Sequence, residues 1–263
     1  MRRFYEKEWQ GIPFGSFVKM SATKLADASF YASFYEAFFK KYKRSEDIDP
    51  KWLEFKLQAV KLLKEYGRFK KEAAILSIGC GLGIMEKPLI EEGYSNLEIT
   101  EVSEVPLRWL LPYIDPDKVH IGFFPGCIAA DKLYDFIYLS SLEYCFDQDQ
   151  LIDFLKAVAD HLSPGGICLL ISVSSEPATP FKWTQVYAVL KDFIKFILDK
   201  IGLRKRGQFF GYIRNRDDFY HAMTSAGFKQ LKDGFLDKKT RWDSYWIQGS
   251  KCREGGYENR DFE

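Results

Sequence analysis

From residue 73 onward the chain alternates short apolar runs with amphipathic stretches. Residues 73–78, 97–102, 119–124, 134–139 and 166–173 read as strands, and helices are expected over 84–92, 105–113 and 148–162. The run Asp135-Phe136-Ile137-Tyr138-Leu139 places apolar side chains on both faces, as befits a strand in the middle of a sheet covered on both sides. Strands and helices laid down in turn predict an α/β domain of parallel βαβ units. Beyond Pro180 the spacing predicts a long amphipathic helix from about Trp183 to Ile201, within an insertion spanning about residues 181–213. A helix over 217–226, stopped by Gly227, and two strands over 228–236 and 240–248 follow. The domain is thus placed at residues 73–251, and residues 252–263, rich in Gly and charge, are expected to be a loose tail.

The first 72 residues have a different texture. Twelve aromatic residues fall between Phe4 and Tyr42, with Phe30, Phe34 and Phe38 in one i, i+4 row and Tyr31, Tyr35 and Phe39 in the next. A second helix is marked by Asp49 as N-cap, Pro50 at its first position, Leu53, Leu57, Val60 and Leu63 along one face, and Gly67 as its stop. Residues 1–72 therefore read as an aromatic-rich α-helical N-terminal cap. Its rings either pack the cap onto the main domain or face a ligand, and Tyr31, Tyr35 and Trp9 are the candidates for the second role.

Composition narrows the function. At 263 residues the chain has room for one large domain or a domain with a cap. Lys and Arg number 38 against 37 Asp and Glu, so no global field draws the protein onto nucleic acid or anionic lipid. No apolar run approaches the roughly 18 residues that span a bilayer. Acidic residues follow the first arginines before any apolar core of a leader, and the five cysteines include no Cys-x-x-Cys pair. These features point to a cytoplasmic protein in a reducing compartment. His120, His161 and His221 stand far apart in sequence, so no metal is expected.

The sharpest local signal is Leu76-Ser77-Ile78-Gly79-Cys80-Gly81-Leu82-Gly83, a strand that runs into three alternate glycines and then a helix. Such glycines let backbone approach a ligand closely. A dinucleotide fingerprint needs glycine at position 84, which is Ile. At the end of the next expected strand stands Glu101, where a carboxylate can accept both hydroxyls of a ribose or remain a solvated charge.

With these motifs the chain resembles the class I S-adenosylmethionine-dependent methyltransferases. Residues 78–83 resemble the glycine-rich first motif of that family, and Ile99-Thr100-Glu101-Val102-Ser103-Glu104 the acidic second one. Residues 134–144 are similar to its fourth-strand segment, Leu162-Ser163-Pro164-Gly165-Gly166 to its turn into the fifth strand, and residues 216–228 to the helix and Gly-Phe turn before its last hairpin. The resemblance implies a Rossmann-like sheet of seven mostly parallel strands and S-adenosyl-L-methionine as cofactor. By position, Gly79, Cys80, Gly81 and Gly83 would line the methionine and ribose, and Glu101 and Val102 would hold the ribose. Gly122 and Phe123 would face adenine, and Ser140 and Ser141 the methionine end. Ser77 departs from the pattern, since the family often has an acid there.

Ser140-Ser141-Leu142-Glu143-Tyr144 stands where an Asn-Pro-Pro-Tyr type segment would mark methylation of DNA amino groups. Glu143 and Tyr144 are the candidate catalytic residues, with Glu143 either a base or hydroxyl binder or else a partner for the following helix. Between Lys182 and Arg216 nine Lys and Arg face only Asp192 and Asp199, which gives either a solvated face or a surface for an anionic group. Tyr31, Tyr35 and Trp183 are the candidate acceptor contacts. The expected function is methyl transfer to oxygen or nitrogen of a small molecule or sugar-type acceptor, with nucleic acid disfavoured. An RNA or protein acceptor, or cofactor binding without turnover, are the alternatives; the sequence leaves the oligomeric state open.

Overall fold

The computed structural model describes residues 1–67, 70–175, 207–238 and 243–251. Three short strands, β1 (Arg2–Glu6), β2 (Glu8–Trp9) and β3 (Ile12–Pro13), lead into α1 (Ala28–Lys41) and α2 (Pro50–Gly67). The α/β rhythm then runs β4 (Ile75–Ile78), α3 (Glu86–Glu91), β5 (Leu97–Glu101), β6 (Val119–Ile121), β7 (Tyr134–Ser140), α4 (Gln148–Asp160) and β8 (Leu162–Ser175). The last described elements are β9 (Gln208–Ile213), α5 (Arg216–Ser225), β10 (Lys229–Lys238) and β11 (Asp243–Ser250).

Seven strands form one sheet in the order β10-β11-β8-β7-β4-β5-β6. The pairs β4–β5, β4–β7, β5–β6 and β7–β8 are parallel, and β11 runs antiparallel to both β8 and β10. The seven-stranded, mostly parallel architecture is the one the sequence implied. From β4 the chain steps outward to β5 and β6, then returns to β7 on the other side, which opens a crevice at the carboxyl ends of β4 and β7. Leu151, Leu155 and Val158 of α4, with Phe219, Ala222 and Met223 of α5, fill one face of the sheet. On the other face Phe55, Ala59, Val60 and Leu63 of α2 pack with Leu89 of α3 against Ile75, Phe136 and Tyr138.

Local signals account for the helix ends. The Asp27 carboxylate caps α1 by accepting from Phe30 N at 3.0 Å, and α4 and α5 open with reciprocal capping boxes from Asp147 and Asn215. Residues 105–113 depart from expectation, since only a 3-10 turn forms over Val105–Trp109. Pro112 has no N–H to continue a helix and disfavours the helical conformation at Leu111. The strand expected over 119–124 ends at Ile121, because Gly122 turns at φ 144°.

The N-terminal region is not purely helical. β1 pairs antiparallel with β9, from Arg2 opposite Ile213 to Glu6 opposite Gln208, and so joins the start of the chain to the end of the expected insertion. Helix α2, expected in the cap, instead covers the main sheet. What remains of the cap, residues 1–49, is built on a cluster of Phe14, Phe30, Phe34 and Phe38 that extends to Leu82, Tyr144 and Phe210. The helix expected over about 183–201, with Trp183, and the tail at 252–263 lie outside the described residues. Among the described residues no helix is long and apolar enough to cross a membrane.

Candidate functional site

The turn after β4 gives the site its floor. Gly81 and Gly83 adopt φ of 58° and 70°, a region side chains strongly disfavour. Packing adds a second constraint, because a Cβ on Gly83 would lie 2.6 Å from Leu110 Cβ and one on Gly81 would lie 3.1 Å from the Tyr35 hydroxyl. Glu101, the last residue of β5, braces this turn. Its Oε2 accepts from Gly81 N and its Oε1 from Val102 N, both at 2.9 Å. Burial outweighs these two bonds and holds the carboxyl above the ordinary range.

β7 delivers Ser140 and Ser141 to the same crevice. Ser141 sits at φ 62°, unusual for a residue with a side chain, and its buried Oγ has no partner among the described residues. Lys56, from α2, reaches this point and donates from Nζ to Ser140 Oγ at 3.0 Å. An acid does stand next to Ser77 in space. The Ser77 hydroxyl donates to Glu86 Oε1 at 2.7 Å and the Tyr138 hydroxyl donates to the same oxygen at 2.8 Å. A buried carboxylate from α3 thus stands beside Ser77, two residues before the first glycine. Burial raises the Glu86 carboxyl, opposed by the Ser77 and Tyr138 bonds and by the Lys56 charge.

A cavity of about 360 Å³ opens above these groups. Gly79, Cys80, Gly81 and Leu82 form its floor, with Lys56, Ser140 and Ser141 at one end. Rings of Phe4, Trp9, Tyr31, Tyr35, Trp52, Tyr144 and Phe210 make an aromatic wall, with Trp52 beside Lys56 and the Tyr35 hydroxyl close over Gly81, and Glu6 and Glu8 line the cavity as well. The Tyr31 hydroxyl donates to the Tyr144 hydroxyl at 3.3 Å, and Cys145 Sγ lies 3.7 Å from Tyr31. Burial pushes all three tyrosine hydroxyls, Tyr31, Tyr35 and Tyr144, well up from the ordinary phenol range. They keep their protons at neutral pH and act as hydrogen-bonding groups rather than bases.

The structure brings Gly79, Cys80, Gly81, Ser140, Ser141, Tyr31, Tyr35 and Tyr144 to one cavity. Gly83, Glu101 and Val102 stand behind the floor and fix its shape. Gly122 N donates to Glu101 O at 2.9 Å, while Phe123 leaves 71% of its surface open and neither lines the cavity. Glu143 is separated from Tyr144 in role, since its residue is fully buried and absent from the cavity wall. Its main-chain carbonyl accepts from Arg214 Nη1 at 2.8 Å, and Arg214 also donates to the carbonyls of Phe146 and Asp147. Lys56, Glu86, Glu6, Glu8 and Trp52 escaped the sequence reading. Lys56 did leave a signal: it interrupts the row Trp52, Lys56, Val60, a charge in an otherwise apolar i, i+4 series.

Comparison with known proteins agrees with this fold. The profile of a family described as "Methyltransferase domain" matches residues 50–233. A ubiquinone biosynthesis O-methyltransferase of Rickettsia akari is 24% identical over 131 residues, which are 48% of this chain and 50% of that protein. The chain spans about half the length of the curated relatives it matches. The magnesium protoporphyrin IX methyltransferase of Synechocystis PCC 6803, solved with bound SAH, superposes with a TM-score of 0.57 at 16% identity, covering 85% of this chain and 96% of that one. An S-adenosylmethionine-dependent methyltransferase from Archaeoglobus fulgidus does so at 0.52 and 15% identity, covering 83% of this chain and all of that one.

Proposed function

The chain belongs to the methyltransferase domain family, and from that premise we propose that it methylates oxygen, or else nitrogen, on a small ring-bearing acceptor with S-adenosylmethionine as donor. One observation carries the proposal: a single cavity joins the glycine turn of the sheet to the aromatic wall of the cap. Donor and acceptor would meet there without crossing solvent.

The residues fit the donor. Gly79 and Gly81 leave open space along the floor, Glu101 stands behind Gly81 as the carboxylate at the end of β5 toward which ribose hydroxyls would be directed, and Ser140 and Ser141 offer hydroxyls at the other end. Ser141 Oγ, buried and without a partner, is a group that a bound polar ligand would satisfy. S-adenosylmethionine supplies, when bound, a methyl group on positively charged sulfur that a nucleophile can displace. The protein's part is orientation and exclusion of water. Tyr31, Tyr35 and Tyr144 can fix an acceptor hydroxyl or amine through hydrogen bonds, while Trp9 and Trp52 present ring faces and edges to a planar or sugar-like body. Glu6 and Glu8 are the cavity-wall carboxylates able to accept acceptor hydroxyls or take up a proton. The relatives' role in ubiquinone biosynthesis favours O-methylation of a ring-bearing acceptor here.

A thermal shift with S-adenosylhomocysteine, and NAD as control, tests the reading. At a hundredfold excess over its dissociation constant the sulfur nucleoside should stabilise the protein by about 2.7 kcal/mol and raise the melting temperature by roughly 5–10 °C. NAD should leave it unchanged. A shift with NAD alone would overturn the assignment of the donor.

A further inference from the structure

Three protonated groups form a line that ends on the aromatic wall. The Tyr31 hydroxyl donates to the Tyr144 hydroxyl at 3.3 Å, and Cys145 Sγ lies 3.7 Å from the Tyr31 oxygen. A hydroxyl has one proton, and that of Tyr31 is spent on Tyr144, so the Cys145 thiol is the donor in the second contact. The line therefore has a direction, from Cys145 to Tyr31 to Tyr144. Burial keeps every member protonated: it raises both phenols well above their ordinary range and pushes the Cys145 thiol up to about 12. At the end of the line the Tyr144 proton has no acceptor among the described residues. A hydroxyl that already accepts one bond also donates more strongly. Tyr35, the third phenol of the cavity, makes no hydrogen bond among the described residues and has no such direction.

The ring that carries this proton is held in place. Phe210 stacks on Tyr144 at 5.6 Å with 19° between the planes, and Phe4 meets it edge-on at 5.9 Å. Gly211 of β9 leaves it room, since a Cβ there would lie 2.6 Å from Tyr144 Cδ2. Tyr144 also follows closely on Ser140 and Ser141, which line the same cavity from the end of β7.

We propose that Tyr144, aligned by Tyr31, is the residue that selects oxygen over nitrogen, by donating a hydrogen bond to the acceptor atom that takes the methyl group. This rests on the reading of the cavity given above. The selection is a count of lone pairs. A ring hydroxyl oxygen can accept from Tyr144 with one pair and form the new C–O bond with another. The methyl carbon then leaves sulfur, the C–S pair stays on sulfur, and the hydroxyl proton passes to Glu6 or Glu8. A neutral amine nitrogen has a single pair, and in the same place Tyr144 occupies it. An amine therefore binds there without reacting. The bond from Tyr31 matters because it turns Tyr144 away from the opposite role, that of accepting an amine N–H.

The test uses 2-aminophenol, which offers both nucleophiles on one ring, and catechol, its dihydroxy counterpart. Wild type should convert 2-aminophenol mainly to the O-methyl product, although the amine is the stronger nucleophile. In Tyr144→Phe the ratio of N-methyl to O-methyl product, read by chromatography, should rise about tenfold, as expected for one lost buried hydrogen bond, and in Tyr31→Phe by less. Both products come from one substrate, so a general loss of stability or activity leaves the ratio unmoved. Binding gives a second readout without turnover. With S-adenosylhomocysteine in place, catechol affinity should fall about tenfold in Tyr144→Phe, while affinity for S-adenosylhomocysteine stays within about twofold and reports that the variant is folded. A product ratio that Tyr144→Phe leaves unchanged, or N-methyl product in excess from the wild type, overturns the proposal and leaves the donor assignment intact. A wild type that binds S-adenosylhomocysteine but neither binds nor methylates either ring overturns the acceptor reading together with the proposal.

Discussion

At the scale of single residues, the floor of the cavity depends on groups that do not touch it. Glu101 accepts from Gly81 N and Val102 N and so sets the path of the glycine turn before any ligand is bound. Glu101→Ala should reduce affinity for S-adenosylhomocysteine by about tenfold or more, through the altered path of the glycine turn, and should destabilise the free protein by about 1–2 kcal/mol, because two main-chain donors lose their acceptor. Calorimetry and urea unfolding measure the two effects separately. Loss of affinity with unchanged stability would mean that the turn holds its shape without the carboxylate. The place of the glycine turn and of Glu101 beside it was legible in sequence because both sit at fixed positions at strand ends. Glu86 was not, since it lies nine residues beyond Ser77 and only the fold brings the two together. Glu143 misled for the opposite reason: a strand-end acid next to the crevice was a sound candidate, yet its place beside Arg214 takes it off the cavity wall.

At the scale of elements, the segment that follows β7 is pinned by one buried side chain. The Arg214 guanidinium, just after β9, donates to the carbonyls of Glu143, Phe146 and Asp147 and to Gln148 Oε1, and so holds the 3-10 turn that presents Tyr144. Burial lowers its charge affinity, opposed by Glu143, Asp218 and Asp147. Arg214→Met should destabilise the fold by about 2–4 kcal/mol, as several buried carbonyls lose their donor at once. Acceptor KM should rise more than donor affinity falls, since Tyr144 belongs to the aromatic wall proposed to face the acceptor. Equal changes in both would assign Arg214 to general stability. The α/β core was readable from periodicity, because β7 and α4 meet the same demand locally and globally. β1 and β9 were not. Arg-Arg-Phe-Tyr-Glu carries no strand alternation strong enough to stand alone, and it becomes a strand by pairing with a segment some two hundred residues away.

At the scale of the whole molecule, near-neutral charge and a cavity walled by rings argue for small acceptors over polymers. Acids and bases almost cancel across the chain. Binding to a single-stranded RNA, followed by fluorescence anisotropy between about 50 and 200 mM salt, should be weak and nearly independent of salt. A slope of several units in log affinity against log salt would restore an RNA acceptor, with the basic residues between Lys182 and Arg216 as its surface. The overall architecture could be inferred from sequence because five motifs fall in family order, whereas the border of the cap could not. Helix α2 has the amphipathic pattern of a cap helix and also of a sheet-covering one, and only packing separates them.

The stitching of β1 to β9 bears on how such a protein can diversify. The floor of the cavity is written between residues 56 and 141, and most of its aromatic wall within the first 52 residues. Four of the seven wall rings thus precede a seam at Asp49-Pro50, and the floor follows it. The seam is incomplete, because Phe210 belongs to the same wall and its strand is laced to the N-terminus. A leading segment and a distant one are thereby tied into a single wall, so that a change in either alters the surface that both present.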